Sequence, residues 1–132
     1  MIMGHFFVDC EITHIRSPKR SVKVPHLLVD TGSEYTWITG ETLRQIAVKV
    51  QKKDVPFLMA NGQAITRSIG YAILRAEGFE TVDEVVFAEP GDLQLLGSRT
   101  LEGFGAIVDP RKKRLVAAGP IPAASTKAKG SC

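Results

Sequence analysis

Leu27-Leu28-Val29-Asp30-Thr31-Gly32-Ser33-Glu34-Tyr35-Thr36-Trp37-Ile38 is the stretch on which the reading of this chain turns. An apolar run stops at Asp30, three turn-forming residues follow, and an aromatic and β-branched strand resumes from Tyr35 to Ile38. This order puts a carboxylate at a strand end on a tight turn. Glycine there permits close backbone approach, and neighbouring N–H groups and the Ser33 hydroxyl can hydrogen-bond the acid. Taken alone, the same residues equally describe an Asx-type turn between two strands.

The flanks argue for a β-rich fold around that turn. Upstream, Phe6, Val8, Cys10 and Ile12 alternate with His5, Phe7, Asp9, Glu11 and Thr13, the pattern of a half-buried strand. Arg16 to Arg20 forms its turn, and a second strand runs from Val22 to Val29. Downstream, Thr39 is placed to cap a short helix through Glu41, Leu43, Arg44, Ile46 and Ala47. Val55 to Ala60 and Gln63 to Thr66 flank Asn61-Gly62, a strong hairpin signal because both residues tolerate positive φ. Strands are predicted at Ile69 to Ala76, Thr81 to Ala88 and Leu93 to Leu96. Gly97 then leads into a short helix from Ser98 to about Phe104, which Gly103 or Gly105 can end in the left-handed conformation. A last hairpin joins Ala106 to Asp109 with Leu115 to Ala118. Short strands with regular turn signals predict an all-β sandwich or barrel.

Composition narrows the function classes. A chain of 132 residues predicts one domain, residues 1–121, followed by a small, polar tail at 122–132 expected to be disordered. Hydrophobic residues at 44% and charged residues at 23% exclude a wholly disordered chain. The net charge of +3 comes from Arg16, Lys19, Arg20, the run Arg111 to Arg114, Lys127 and Lys129. That distribution reads as solvated turns and tail, so no nucleic-acid partner is predicted; a small basic barrel binding nucleic acid is the lesser alternative. Apolar stretches such as Val85 to Ala88 are too short to span a bilayer, so no membrane partner is expected. Met1 to Phe6 lacks a basic segment followed by a long apolar one, which predicts a cytoplasmic protein. Cys10 reads as core, Cys132 as a free exposed thiol, and no disulfide framework is expected. His5, His14 and His26 lack metal-ligand spacing, and neither a nucleophile elbow nor a glycine-rich phosphate loop occurs, so no metal or organic cofactor is predicted.

The order apolar run, Asp30-Thr31-Gly32-Ser33, aromatic strand, helix, Asn-Gly hairpin and Leu95-Leu96-Gly97 before a short helix resembles the retropepsin family. These are the retroviral-type aspartic proteases and their cellular and bacterial relatives, and the likeness covers about residues 5 to 119. It implies an all-β, retropepsin-like half-barrel with one or two short helices, working as a two-fold homodimer. It also implies that Asp30 is the catalytic carboxylate and that Thr31 makes interlocking hydrogen bonds beneath two active-site loops. Gly32 would allow close approach of substrate and partner loop, and the Ser33 hydroxyl would favour the ionised carboxylate. Leu96 and Gly97 would support the loop, and Glu34 would contact peptide backbone. Phe57 to Tyr71 would be a flap with Ala60, Asn61 and Gly62 near its tip. Trp37 would line a specificity pocket or belong to the core. Many viral members carry arginine directly after the glycine; here Ser98 intervenes and the arginine is Arg99.

Peptide hydrolysis without a covalent intermediate needs one group to activate water and another to polarise the carbonyl, roles that two carboxylates sharing a proton fill together. Asp9, Asp54, Asp83, Asp92 and Asp109 are followed by Cys10, Val55, Glu84, Leu93 and Pro110, so none rebuilds the Asp30 turn. A second equivalent acid can then come only from another copy across a two-fold axis. The sequence therefore predicts a homodimeric aspartic endopeptidase acting on peptides or proteins. The alternative is a non-proteolytic peptide- or protein-binding dimerisation module on the same fold.

Overall fold

The computed structural model describes residues 5–124. Most of the predicted tail, with Lys127, Lys129 and Cys132, lies outside the described residues, as do the first four positions. In chain order the elements are β1 (Phe7–Thr13), β2 (Ser21–Val29), β3 (Thr36–Thr39), α1 (Gly40–Gln45), β4 (Lys52–Leu58) and β5 (Ala64–Ala76). There follow β6 (Phe79–Ala88), β7 (Leu95–Leu96), α2 (Ser98–Phe104), β8 (Ala106–Asp109) and β9 (Arg114–Ala117).

The period-2 pattern near the start becomes β1, which buries Val8, Cys10 and Ile12 and leaves Phe7, Asp9 and Glu11 exposed. β1 pairs with β2 along most of its length and with β5 at Glu11 to Thr13, so the order β1-β2-β7-β3-β6-β5 returns to β1. The all-β expectation holds, and the half-barrel is drawn into a closed ring with β4 hanging from β5 as the outer arm of a hairpin. Two of the pairings, β2 with β7 and β3 with β6, are parallel. Closure turns Ile12, Leu27, Ile38, Leu74, Val85 and Leu96 into one interior. Removing each such side chain from water contributes about 1.5–3 kcal/mol. A smaller cluster of Trp37, Ile69, Val86, Ala88 and Leu95 lies on the hairpin side.

Several boundaries differ from the sequence reading. The two strands expected at Gln63 to Thr66 and Ile69 to Ala76 are one strand of 13 residues, Ala64–Ala76, with Gln63 left in the turn. Arg67 and Ser68 interrupt the apolar alternation, but β4 pairs with the strand on both sides of Ser68, Val55 with Arg67 and Lys52 with Ile69. Leu93 lies outside β7, because Asp92 N–H donates to the Glu89 carbonyl at 2.9 Å and closes a turn just before it. Thr39 caps α1 as expected, its Oγ1 accepting from Thr42 N–H at 3.2 Å. The helix stops before Ala47, which has φ 63°. Gly105, at φ 69°, ends α2 rather than Gly103. Asn61 and Gly62 do turn the hairpin, but of the two only Gly62 takes positive φ, at 86°.

Candidate active site

Asp30 stands where β2 ends. Its N–H donates to the Leu96 carbonyl at 2.9 Å, carrying the β2–β7 pairing one residue past Val29. The chain then folds back over the side chain: Gly32 N–H donates to Asp30 Oδ1 at 3.0 Å, and Ser33 N–H to the Asp30 carbonyl at 3.1 Å. A Cβ on Gly32 would sit 3.3 Å from that same oxygen, so glycine keeps the turn close to the carboxylate. Ser33 departs from expectation. Its Oγ donates to the Tyr35 carbonyl at 3.3 Å instead of to Asp30, because the loop has already turned away from the acid at that residue.

Topology explains what lies beneath the loop. β7 runs between β2 and β3, so the connection from Asp30 to Tyr35 must arch over the end of β7. Ser98 N–H donates to the Ser33 carbonyl at 2.7 Å and Arg99 N–H to the Glu34 carbonyl at 3.0 Å, which fastens the start of α2 to the underside of the loop. Gly97 is required there: a Cβ would come within 2.6 Å of the Glu34 carbonyl oxygen and also strike that of Tyr35. Leu96 is fully buried and Gly97 N–H donates to Thr36 Oγ1 at 2.9 Å, so the structure brings both predicted support residues to the loop.

The charge of Arg99 is used inside the chain. Its guanidinium lies 4.6 Å from the centre of the Tyr35 ring and 3.6 Å from Glu84 Oε1. Lys52 Nζ reaches Glu84 Oε2 at 2.7 Å, and that hydrogen bond is the main cause holding the Glu84 carboxyl below its usual range.

Two clefts meet at Asp30. The larger, about 790 Å³, has Asp30, Gly32, Ser33 and Glu34 at one end. Its walls include Tyr35, Trp37, Phe57, Met59 and Leu95. Phe57 binds the hairpin to the opposite wall, edge-on to Tyr35 with centroids 5.5 Å apart and tilted against Trp37 at 5.1 Å. Trp37 is thus both buried and cleft-lining. Ala60 faces this cleft; Asn61 and Gly62 are at the hairpin tip and outside its lining, where Leu58 and Met59 stand instead. Asn61 Oδ1 accepts from Gln63 N–H at 2.9 Å, so its side chain shapes the turn. The second cleft, about 700 Å³, lies on the other side of Asp30 between Phe6, Leu28, Thr31, Val108 and Lys113. Thr31 is exposed along it.

Sequence reasoning missed Thr36, Thr100 and Asp83 beneath the loop, and Arg67, Asp92 and Leu93 beside the cleft. Thr36 stood inside the deciding stretch as a polar residue between aromatic neighbours, which was a usable signal. The others become neighbours only through the β6–α2 and β5–β6 pairings.

No family model matches the chain. No curated protein matches its sequence. The structure is similar to the retroviral protease-like domain of Ddi1 from Leishmania major, with a TM-score of 0.52 over 88% of this chain and 90% of that one at 17% identity. The architecture is therefore retropepsin-like, a likeness of fold.

Proposed function

We propose that the chain is an aspartic endopeptidase that works as a homodimer, with Asp30 and the Asp30 of a second copy sharing one proton over a bound water. The ionised acid takes a proton from the water as its oxygen attacks the peptide carbonyl, while the protonated acid donates to the carbonyl oxygen. Collapse of the resulting diol passes a proton to the leaving nitrogen and breaks the C–N bond.

The observation that carries this reading is the position of Asp30: half-buried, held by Gly32 N–H, and at the junction of two clefts beneath a hairpin. An extended peptide suits that space, its backbone running under the hairpin and its side chains entering between Tyr35, Trp37 and Phe57. Exposed Thr31 beside the acid is suited to meet a second copy.

The test is cleavage of an unstructured protein at mildly acidic pH, blocked by a statine-type transition-state mimic. Asp30→Asn and Asp30→Ala should abolish cleavage while remaining folded. Full activity in either variant would refute the assignment, and peptide binding without turnover by the wild-type chain would favour the dimerisation module.

A further inference from the structure

The hairpin over Asp30 extends beyond the ring that supports it. β5 pairs with β6 from Ala76 back to Ile69, opposite Val86, and there the pairing ends. From Arg67 to Ala64 its strand partner among the described residues is β4, the other arm of the hairpin. Two residues past the last β6 pairing stands Arg67, and the chain leaving β6 turns back to meet it at Asp92. Arg67 Nε donates to Asp92 Oδ2 at 2.7 Å and Arg67 Nη2 to Oδ1 at 2.9 Å, a bidentate pair. Asp92 Oδ2 also accepts from Glu89 N–H at 2.8 Å, so the carboxylate is fixed to its own turn before it grips the arginine. Arg67 Nη1 donates to the Thr66 carbonyl at 2.7 Å, which fixes the other end. The side chains are only 14% and 11% exposed.

We propose that Arg67 and Asp92 are positioning residues, a clamp that joins the overhanging hairpin to the Glu89–Leu93 turn and so sets the width of the larger cleft. Asp92 and its neighbour Leu93 line that cleft, and so does Val55, paired with Arg67 across the hairpin, so the clamp ends at the cleft wall on one side and one step from it on the other. A planar fork holds two directions at once where an ammonium would hold one, so lysine at residue 67 would keep the charge and lose the alignment. The consequence for peptides rests on the endopeptidase reading; the mechanical claim does not.

The experiment compares the wild-type chain with Arg67→Lys, Arg67→Met and Asp92→Asn. Amide hydrogen exchange is read at hairpin residues 57–66 against core strands β1 and β2, and KM and kcat are measured on an unstructured peptide. Exchange in the hairpin is expected to rise about tenfold or more in Arg67→Met and Asp92→Asn, less in Arg67→Lys, with β1 and β2 unchanged. KM should rise at least fivefold while kcat changes less than twofold. Unchanged hairpin exchange in a folded variant would overturn the clamp, as would an equal rise in hairpin and core, which marks a general brace. If the wild-type chain cleaves no peptide, the endopeptidase reading fails while the exchange data still decide the clamp.

Discussion

Thr36 Oγ1 and Thr100 Oγ1 lie 2.6 Å apart in a fully buried contact, and their other partners fix which one donates. Thr100 gives its single proton to Asp83 Oδ2 at 2.9 Å, so Thr36 must donate to Thr100. Thr36 is then free to accept from Gly97 N–H, and Asp83 completes the chain by accepting from Glu84 N–H through Oδ1 at 2.7 Å. A directed relay thus runs from the glycine under the Asp30 loop to the partly buried Asp83 of β6. Thr36→Val keeps the shape and leaves Gly97 N–H without its acceptor, which should cost about 1–3 kcal/mol. Thr100→Val should cost about as much, and the double variant less than the sum, because removing both hydroxyls strands fewer groups. Urea denaturation of the three variants checks this.

At Gly97 the obstacle is backbone rather than a movable side chain. Since a Cβ would lie within 2.6 Å of the Glu34 carbonyl oxygen, Gly97→Ala must push the Asp30 loop away from α2 or fail to fold. Overpacking of this kind costs about 1–3 kcal/mol or more. If the variant folds, the cleavage proposed for Asp30 should fall out of proportion to stability, measured as the cleavage rate at a temperature well below its melting point.

The Asp30 turn was legible from its residues because it is local: apolar strand, acid, glycine and strand again lie within twelve consecutive positions. The Asn61-Gly62 hairpin and the Thr39 cap were legible for the same reason. The continuity of β5 was not, since Arg67 and Ser68 break the alternation that marks a strand, and the Arg67 side chain is explained only by a neighbour from a distant turn. Likewise the Ser33 hydroxyl lay in reach of either Asp30 or the Tyr35 carbonyl, and the direction in which the loop left the turn decided between them. Residues that hold the site in place come from β6, the following turn and α2, and the β3–β6 and β5–β6 pairings together with the packing of α2 on β6 bring those segments together.

For Asp30 itself, stability and function should separate. Asp30 is half-buried, and an Asn side-chain oxygen can still accept from Gly32 N–H. Asp30→Asn should therefore stay within about 1 kcal/mol of wild-type stability, the range of a single ordinary hydrogen bond, while cleavage falls to background. Paired thermal melts and peptide assays on one preparation make the comparison.

Cys10 is fully buried between β2 and β5, and burial pushes its thiol up to about 12. It should resist iodoacetamide in the folded chain at pH values near 8 and react once urea unfolds it, as peptide mapping by mass spectrometry would read. The pH sign follows from linkage. Between the unfolded thiol value, about 8.5, and the folded one, the native state holds the extra proton. Stability should therefore fall as pH rises through that interval, by up to about 1.4 kcal/mol per unit, and Cys10→Ala should remove this part of the alkaline slope.

Acid acts on the opposite side of the molecule's stability curve. The Arg67 hydrogen bonds hold the Asp92 carboxyl below its ordinary range, so between its folded and unfolded values the unfolded chain binds the proton more readily than the folded one. A depressed folded value contributes stability that is complete above the unfolded value, about 3.9, and is lost as pH falls through the folded value. The clamp should therefore be intact at the mildly acidic pH where an aspartic dyad would operate and release only under stronger acid. Asp92→Asn removes the titrating group, so its stability should decline less steeply than wild type below about pH 4. Urea midpoints at stepped pH test this: parallel acid limbs for the two proteins would mean that Asp92 contributes nothing through its charge, whereas a flatter limb in the variant assigns that part of the acid sensitivity to the Arg67 pair.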